Sequence, residues 1–312
     1  SPLSSLKTLS IYFDEEKYSE KQYQDIIVQK TGVHHHSFLV TSSEFNEELP
    51  QVLEAMDSPS TDAINTYFIS KYAHEYGLKA VLSGVGSDEL FGGYPSMQQS
   101  VWYNQVKKLP SYILSLSEYL ATDKYRKISF ISNKSSNGEY LFYRGLHDAR
   151  TIADILDADE IEVHTKLKLL SPVQWNGEDH KEKASYLEYN LYMQNQLLKD
   201  ADFMSMWHGL EIRVPFLDKE FVDLVHSIPS HIRFQSHQPK GLLIDSFKHI
   251  LPEVIWNRPK QGFTFPFAIW LKGNEWAKPK NKMEEKYYQL FEKGRMSWGR
   301  YWGIKLLQYM DH

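Results

Sequence analysis

A glycine-rich segment with two acidic residues has the clearest capacity for chemistry in this sequence. It spans residues 83–94, where four glycines surround Asp88 and Glu89 directly after a short apolar run. Closely spaced glycines let the backbone approach a ligand and present N–H groups to an anion. Mg²⁺ in proteins commonly binds one or two carboxylates together with phosphate oxygens. The segment therefore predicts a phosphate and magnesium site, and a glycine turn capped by carboxylates is the alternative interpretation.

A lysine on a constrained turn is the second candidate. Lys260 follows Pro259 and precedes Gly262 by two residues. A lysine on a rigid turn suits neutralisation of the charge that develops on a phosphate. The alternative is a solvated surface lysine, which is the usual situation for this residue type.

A third segment, residues 204–218, mixes apolar residues with charged ones. Glu211 and Arg213 within it are predicted to form a buried ion pair that holds a helix end against the sheet. A structural role is the favoured interpretation here.

Alternating strand and helix patterns in the first third of the chain must position these groups. Ser19 and Gln22 have the spacing of a capping box, and Gly32 is expected to end the helix that they open. Pro50 is expected in the first turn of the second helix. The predicted elements are a strand at 6–13, a helix ending at 32, a strand at 35–40, a helix ending near 56, a helix at 62–75 with its C-cap at Gly77, and a buried strand at 79–83. This order predicts an α/β fold with a doubly wound parallel sheet.

Helical periodicity replaces strand patterns from about residue 98 onward. The predicted helices span 98–120, 138–146, 150–156, 182–198, 218–227, 239–250 and 298–310, with loops at 132–138 and 278–282. We expect an α/β nucleotide-binding part at 1–125 and a mainly helical part at 126–312 that closes over the active-site cleft.

Composition excludes several classes of protein. The 35 lysines and arginines against 40 aspartates and glutamates give a net charge of −5, which disfavours nucleic-acid binding. The sequence has no cysteine, so thiolate nucleophiles, zinc ribbons and iron–sulfur ligation are excluded for this chain. No apolar run approaches the roughly 20 residues of a membrane-spanning helix. We therefore expect a cytoplasmic protein without nucleic-acid or membrane partners.

Three blocks in this order resemble the synthetase domain of glutamine-dependent asparagine synthetases, which is similar to ATP pyrophosphatases. The blocks are residues 83–94, 211–218 and 258–263, and the resemblance covers most of the chain. It implies ATP-dependent adenylation of the aspartate side-chain carboxylate with Mg²⁺, followed by attack of ammonia to give asparagine, AMP and pyrophosphate. It also implies a glutaminase domain that supplies ammonia from glutamine, and a homodimer.

The resemblance assigns roles residue by residue. Ser83, Gly84 and Ile11 would contact ATP, Asp88 would bind magnesium, and Lys260 would stabilise charge on the phosphates during adenylation. The residues assigned to the substrate's surroundings or to structural support are Asp57, Asp62, Glu89, Arg213 and Asp218.

The chain departs from the family pattern in four ways. The family's pyrophosphate loop, Ser-Gly-Gly-x-Asp-Ser, is absent, and so is the glutaminase domain, so we expect residues 1–312 alone to be inactive. Val85 stands where the family commonly has an acidic residue. Asp200 and Phe203 replace a lysine and an arginine of the family. A related amidotransferase or β-lactam-forming ligase that adenylates another carboxylate, or a catalytically silent binding module, is therefore an alternative.

Overall fold

Two short parallel sheets form the strand part of the protein. The computed structural model describes residues 6–120, 122–170, 173–234, 238–258 and 262–310. The strands are β1 Lys7–Tyr12, β2 His34–Leu39, β3 Ala80–Leu82 and β4 Glu211–Arg213. In parallel register, Ile11 lies opposite Phe38 in one sheet, and Val81 lies opposite Ile212 in the other.

The two sheets do not join into one within the described residues. Strands β1 and β3 instead line a common cavity of about 830 Å³. As a result β3 is not the buried strand that was predicted, since Leu82 is 71% exposed. The architecture is α/β and mostly helical, with small parallel sheets.

Helices connect and surround the strands. The α-helices of the described residues are α1 Lys21–Thr31, α2 Ser42–Ala55, α3 Ala63–Glu75, α4 Ser87–Phe91, α5 Ser96–Val106, α6 Ser111–Leu116, α7 Asp123–Arg126, α8 Ser136–Arg144, α9 Ala149–Leu156, α10 Glu160–Leu169, α11 His180–Leu187, α12 Leu198–Trp207, α13 Lys219–Ser227, α14 Ser230–Arg233, α15 Gly241–Phe247, α16 Glu253–Trp256, α17 Phe267–Trp270, α18 Lys282–Glu292 and α19 Trp298–Met310. A π-helical segment, Glu188–Leu197, joins α11 to α12, and 3-10 turns lie at Ser117–Tyr119, Lys127–Asn133, Pro215–Leu217 and Leu271–Gly273. None of these helices is long and apolar enough to span a bilayer.

Two local predictions about helix starts are wrong. The capping box does not form, because Glu20 is the N-cap of α1 and makes no side-chain capping bond. Pro50 lies inside α2 rather than in its first turn. That helix begins earlier than expected, where the Thr41 side chain accepts a hydrogen bond from the backbone N–H of Glu44 at 3.2 Å.

Some helix boundaries also differ from the sequence expectation. The helix expected at 98–120 is interrupted at 107–110, since Pro110 cannot continue the hydrogen-bond ladder and instead precedes α6. Residues 136–138 of the loop expected at 132–138 belong to α8, because Ser135 caps that helix by accepting a hydrogen bond from the N–H of Gly138, and residues 132–133 end a 3-10 segment. Gly32 ends α1 as predicted.

The main hydrophobic core joins the strand region to the C-terminal helices. Phe45 and Phe68, from α2 and α3, belong to the same buried cluster as Phe265, Tyr301 and Trp302. The Trp302 indole also donates to the backbone carbonyl of Ser60 at 2.9 Å. The last helix therefore fixes the loop that enters α3, which is one wall of the candidate site.

Candidate functional site

A glycine bend connects β3 to α4. The backbone N–H of Ser83 donates to the carbonyl of Arg213 at 2.8 Å, which extends the β3–β4 ladder by one residue. Gly86 then adopts a φ of +99°, and a Cβ there would lie 2.5 Å from Leu217 Cδ2. Both the backbone conformation and the contact require glycine. The bend leaves Gly84 exposed, with open space around its α-carbon.

An ion pair between Asp88 and Lys240 lies beside this bend. Lys240 Nζ is 3.2 Å from Asp88 Oδ1 and 3.4 Å from Ser87 Oγ. Asp88 packs so closely on Gly93 that a Cβ at that glycine would lie 1.6 Å from Asp88 Oδ1. Both members of the pair stay partly exposed. The bend therefore carries a carboxylate and an ammonium group within reach of a bound anion.

Lys240 is not among the site residues predicted from the sequence. It lies between Pro239 and Gly241, which is the same kind of constrained turn that selected Lys260. Its backbone is left-handed, with φ of +58°, and it begins α15. The flanking proline and glycine were the features of the sequence that could have predicted a role for this lysine. The tertiary structure identifies Lys240 as a site residue, because it brings the start of α15 against α4.

Glu89 is a structural residue in this arrangement. It is 1% exposed, and burial raises the pKa of its carboxyl, although a hydrogen bond from Tyr94 Oη at 2.8 Å opposes the rise. Its backbone carbonyl accepts a hydrogen bond from Ser185 Oγ at 2.6 Å. These contacts hold α4 against α11, and the Glu89 carboxylate is buried against Tyr94, whereas the Asp88 side chain is partly exposed. Asp88 is the carboxylate that fits a cation there.

Two further carboxylates line the 830 Å³ cavity beside the bend. Ser60 links them, since its hydroxyl donates to Asp200 Oδ2 at 2.5 Å and accepts from the backbone N–H of Asp62 at 3.0 Å. Asp62 Oδ2 also accepts hydrogen bonds from Tyr192 Oη and Gln196 Nε2, each at 2.8 Å. Burial, with help from the charge of Asp62, raises the pKa of Asp200 to about 7, against the opposing hydrogen bond from Ser60.

Val85 lines the same cavity as these carboxylates. Its side chain offers neither a proton acceptor nor a metal ligand at this position. The carboxylates that line this cavity with Val85 are Asp62 and Asp200, which come from the loop before α3 and from α12.

The remaining candidate residues lie in varied surroundings. Ile11 is 1% exposed and belongs to the main core, so its side chain has almost no accessible surface. Asp57 is exposed. Asp218 caps α13, because its Oδ1 accepts hydrogen bonds from the backbone N–H groups of Glu220 at 3.0 Å and Phe221 at 3.2 Å. The Glu211–Arg213 pair is formed at 2.9 Å, but both side chains are largely exposed, so the prediction of a buried pair is wrong.

Lys260 itself lies outside the described residues. Its flanks are placed: Arg258 Nη2 bonds Glu20 Oε1 at 2.7 Å, and the guanidinium lies 4.0 Å from the centre of the Tyr23 ring. On the other side, Asn65 Nδ2 donates to the carbonyl of Phe263 at 2.9 Å. The two flanks thus contact α1 and the first turn of α3.

The family model and the similar proteins found by comparison point to the same family. The asparagine synthase family model matches residues 1–289. The chain is 30% identical over 293 residues to asparagine synthetase [glutamine-hydrolyzing] 1 of Bacillus subtilis, covering 88% of this chain and 45% of that protein. It is 26% identical over 291 residues to a putative asparagine synthetase [glutamine-hydrolyzing] of Mycobacterium tuberculosis, covering 87% and 43%.

A more distant relative carries a different name. Amidase chry2 of Gibberella zeae is 21% identical over 249 residues, covering 69% of this chain and 36% of that protein. The chain thus spans less than half the length of each of these relatives.

Proposed function

Since the chain belongs to the asparagine synthase family, we propose that it is the synthetase part of an ATP-dependent carbon–nitrogen ligase. In this reaction ATP adenylates the aspartate side-chain carboxylate, and ammonia then displaces AMP to give asparagine. The observation that carries the proposal is the Asp88–Lys240 pair at the glycine bend. Phosphoryl-centred chemistry depends chiefly on positioning and on charge neutralisation, and this pair offers both.

Each residue at the bend has a distinct role in the proposal. Ser83 and Gly84 contribute a backbone that the phosphates approach closely, with Gly84 open to solvent. Asp88 holds Mg²⁺, because a single carboxylate together with phosphate oxygens is a common magnesium site. Lys240 neutralises phosphate charge, and Lys260 does the same from the helical side. Mg²⁺ supplies neutralisation of the phosphate oxygens when it is bound.

The remaining roles follow from the resemblance and from local contacts. Ile11 is assigned to the adenine pocket through its backbone, because its side chain is buried. Asp62 is assigned to the acceptor side, together with Asp57. Asp218 supports the site by capping α13, while Glu89 and Arg213 support α4 and β4.

The acceptor is the least constrained part of the proposal. The Val85 side chain offers no polar atom beside the bend, and the buried Asp200 carries no positive charge to attract an acidic amino acid. These two residues favour a second candidate function, in which the same ligase chemistry acts on a different carboxylate, as in β-lactam-forming relatives. Similarity to a protein named as an amidase is compatible with that reading.

We also propose that the two sheets belong to one doubly wound sheet in the full-length protein. Residues of β1 and β3 face the same 830 Å³ cavity, and β3 is exposed there. One further parallel strand in this cavity would satisfy the free edges of both sheets. The division at residue 125, a glutaminase domain in the same polypeptide, a homodimer and a cytoplasmic location remain predictions.

An assay of pyrophosphate release by the full-length protein tests the function. Purified protein is given Mg-ATP and ammonium with aspartate, glutamate or a panel of other carboxylates. Release that depends on aspartate, with asparagine as product, supports the first candidate. Release with another carboxylate but not with aspartate supports the second. Absence of release with every carboxylate, together with no binding of Mg-ATP in calorimetry, would favour a silent binding module.

A further inference from the structure

A second cavity, distinct from the glycine bend, is lined by positively charged side chains. It has a volume of about 690 Å³ and lies between the loop before α3, the helix α8 and the last helix α19. Lys127, Arg144 and Arg300 line it, and Asp62 contributes to both this cavity and the one beside the bend. We name it the Lys127 cavity.

The guanidinium of Arg144 is fixed in place but not fully bonded. Its Nε donates to Glu188 Oε2 at 2.8 Å, and its Cζ lies 3.6 Å from the centre of the Tyr192 ring and 4.3 Å from that of Tyr94. Yet Arg144 Nη2 is buried without a hydrogen-bond partner in the described part of the chain. Because Nη2 is buried, Arg144 contributes positive charge to the cavity wall rather than a hydrogen bond from this atom to an occupant.

Lys127 adds a positive charge that no described carboxylate balances. Its Nζ donates to the backbone carbonyl of Tyr143 at 3.2 Å and forms no ion pair with a described residue. Burial, and then repulsion by Arg300 and Arg144, lower the pKa of Lys127 to about 8. The ammonium group therefore lies near two guanidinium groups. Arg300 pairs with Asp148 and Arg144 pairs with Glu188, whereas Lys127 forms no such pair with a described carboxylate.

A free pocket of this volume and charge suits a small anion. The polar hydroxyls of Ser60 and Ser297 lie at or beside its wall, and Leu141 and Leu306 supply apolar surface. Such a mixture of charge, hydroxyl and apolar surface is typical of small-molecule sites. Nothing in the proposed adenylation at the bend uses Lys127 or Arg300.

We propose that the Lys127 cavity binds a small metabolite through an oxyanion group, a carboxylate or a phosphate, that accepts a hydrogen bond from Lys127 Nζ beside the guanidinium groups of Arg144 and Arg300. The ligand supplies a counter-charge for Lys127, which forms no ion pair with a described residue. Because Asp62 lines both cavities, the occupant lies one residue away from the acceptor side of the proposed ligase site.

Calorimetry on residues 1–312 without nucleotide tests this site separately from the ligase proposal. The probes are malonate and inorganic phosphate at constant ionic strength, with sodium chloride as the reference salt. Saturable binding of malonate alone identifies a carboxylate ligand, and binding of phosphate alone identifies a phosphate ligand. Binding of neither probe overturns the proposal, whatever the protein does with ATP.

Two lysine variants distinguish the cavity from general charge effects. Lys127→Met should weaken binding of the preferred anion at least tenfold, whereas Lys127→Arg should retain it within about threefold. Lys181 is the matched control, because it is also partly buried and bonded to a backbone carbonyl, that of Phe234 at 2.9 Å, outside this cavity. Lys181→Met should leave the affinity unchanged within twofold.

Thermal unfolding keeps the test meaningful if a variant changes stability. The preferred anion should raise the melting temperature of the wild-type chain and of Lys181→Met, but not that of Lys127→Met. Without anion, Lys127→Met should melt no lower than the wild type, because it removes a charge that two guanidinium groups repel. An equal anion-induced rise in all three proteins would refute a role for Lys127.

Discussion

Lys240 Nζ lies 3.2 Å from Asp88 Oδ1, although the two residues belong to helices on opposite sides of the chain's middle third. The contact brings α15 to the glycine bend at the end of β3. It places a cation beside the carboxylate that is proposed to hold magnesium. The ligase proposal depends on this relationship more than on any single motif.

Replacing Lys240 should impair adenylation more than folding. In the full-length protein, Lys240→Met should lower the rate of ATP-dependent pyrophosphate release by about 100-fold, the usual effect of losing one charge-stabilising donor. The control is Lys248→Met, since Lys248 lies just after the same helix and, among the described residues, forms an ion pair only with exposed Asp245. An unchanged rate in Lys240→Met, at equal thermal stability, would remove this lysine from the mechanism.

The bend should tolerate a methyl group at one glycine and not at another. Gly86→Ala should destabilise the chain by about 1–3 kcal/mol, because φ is +99° and the new Cβ would meet Leu217. Gly84→Ala should change the free energy of unfolding by less than about 0.5 kcal/mol, since the space around Gly84 is open. Urea unfolding monitored by circular dichroism measures both. Equal stability of the two variants would mean that the bend has another conformation.

Asp200 should make stability depend on pH. Its folded-state pKa is raised to about 7, so the folded chain retains a proton that the unfolded chain loses above about pH 4. The contribution of Asp200 to stability is therefore full below about pH 4 and is lost as pH rises through 7. Asp200→Asn should be more stable relative to wild type at pH 8 than at pH 5, by at least about 1 kcal/mol.

The matched control for this pH effect lies in the same helix. Asp202 is exposed, so Asp202→Asn should show the same difference from wild type at both pH values. Urea unfolding at pH 5 and pH 8 provides the comparison. A pH-independent difference for Asp200→Asn would show that the folded chain holds Asp200 ionised.

Local sequence signals predicted much of the strand region and of the bend. Short-range residue patterns were sufficient to predict the strand at β1, the end of α1 at Gly32 and the glycine bend. Lys240 was missed because its importance arises from a contact with Asp88 that spans much of the chain. Periodicity and turn residues carry no information about such a contact.

Other differences arise from competition between local and tertiary effects. The Ser19 capping box does not form, because Glu20 is the N-cap of α1. Pro50 lies inside α2, because that helix begins after its N-cap Thr41. The strand β3 was expected to be buried, but it borders a cavity and leaves Leu82 exposed. Asp200 accepts a hydrogen bond from Ser60, which lies 140 residues away in the sequence. The two helix starts are decided by neighbouring residues, Glu20 and Thr41, whereas the exposure of β3 depends on tertiary structure that local patterns do not describe.

A crystal structure of the full-length protein with Mg²⁺ and a non-hydrolysable ATP analogue tests the central claim most directly. The account predicts that the triphosphate lies over Ser83 and Gly84, with Asp88 on the metal and Lys240 Nζ within hydrogen-bonding distance of a phosphate oxygen. A triphosphate bound elsewhere on the molecule, with the Asp88–Lys240 pair undisturbed and far from any phosphate, would contradict it.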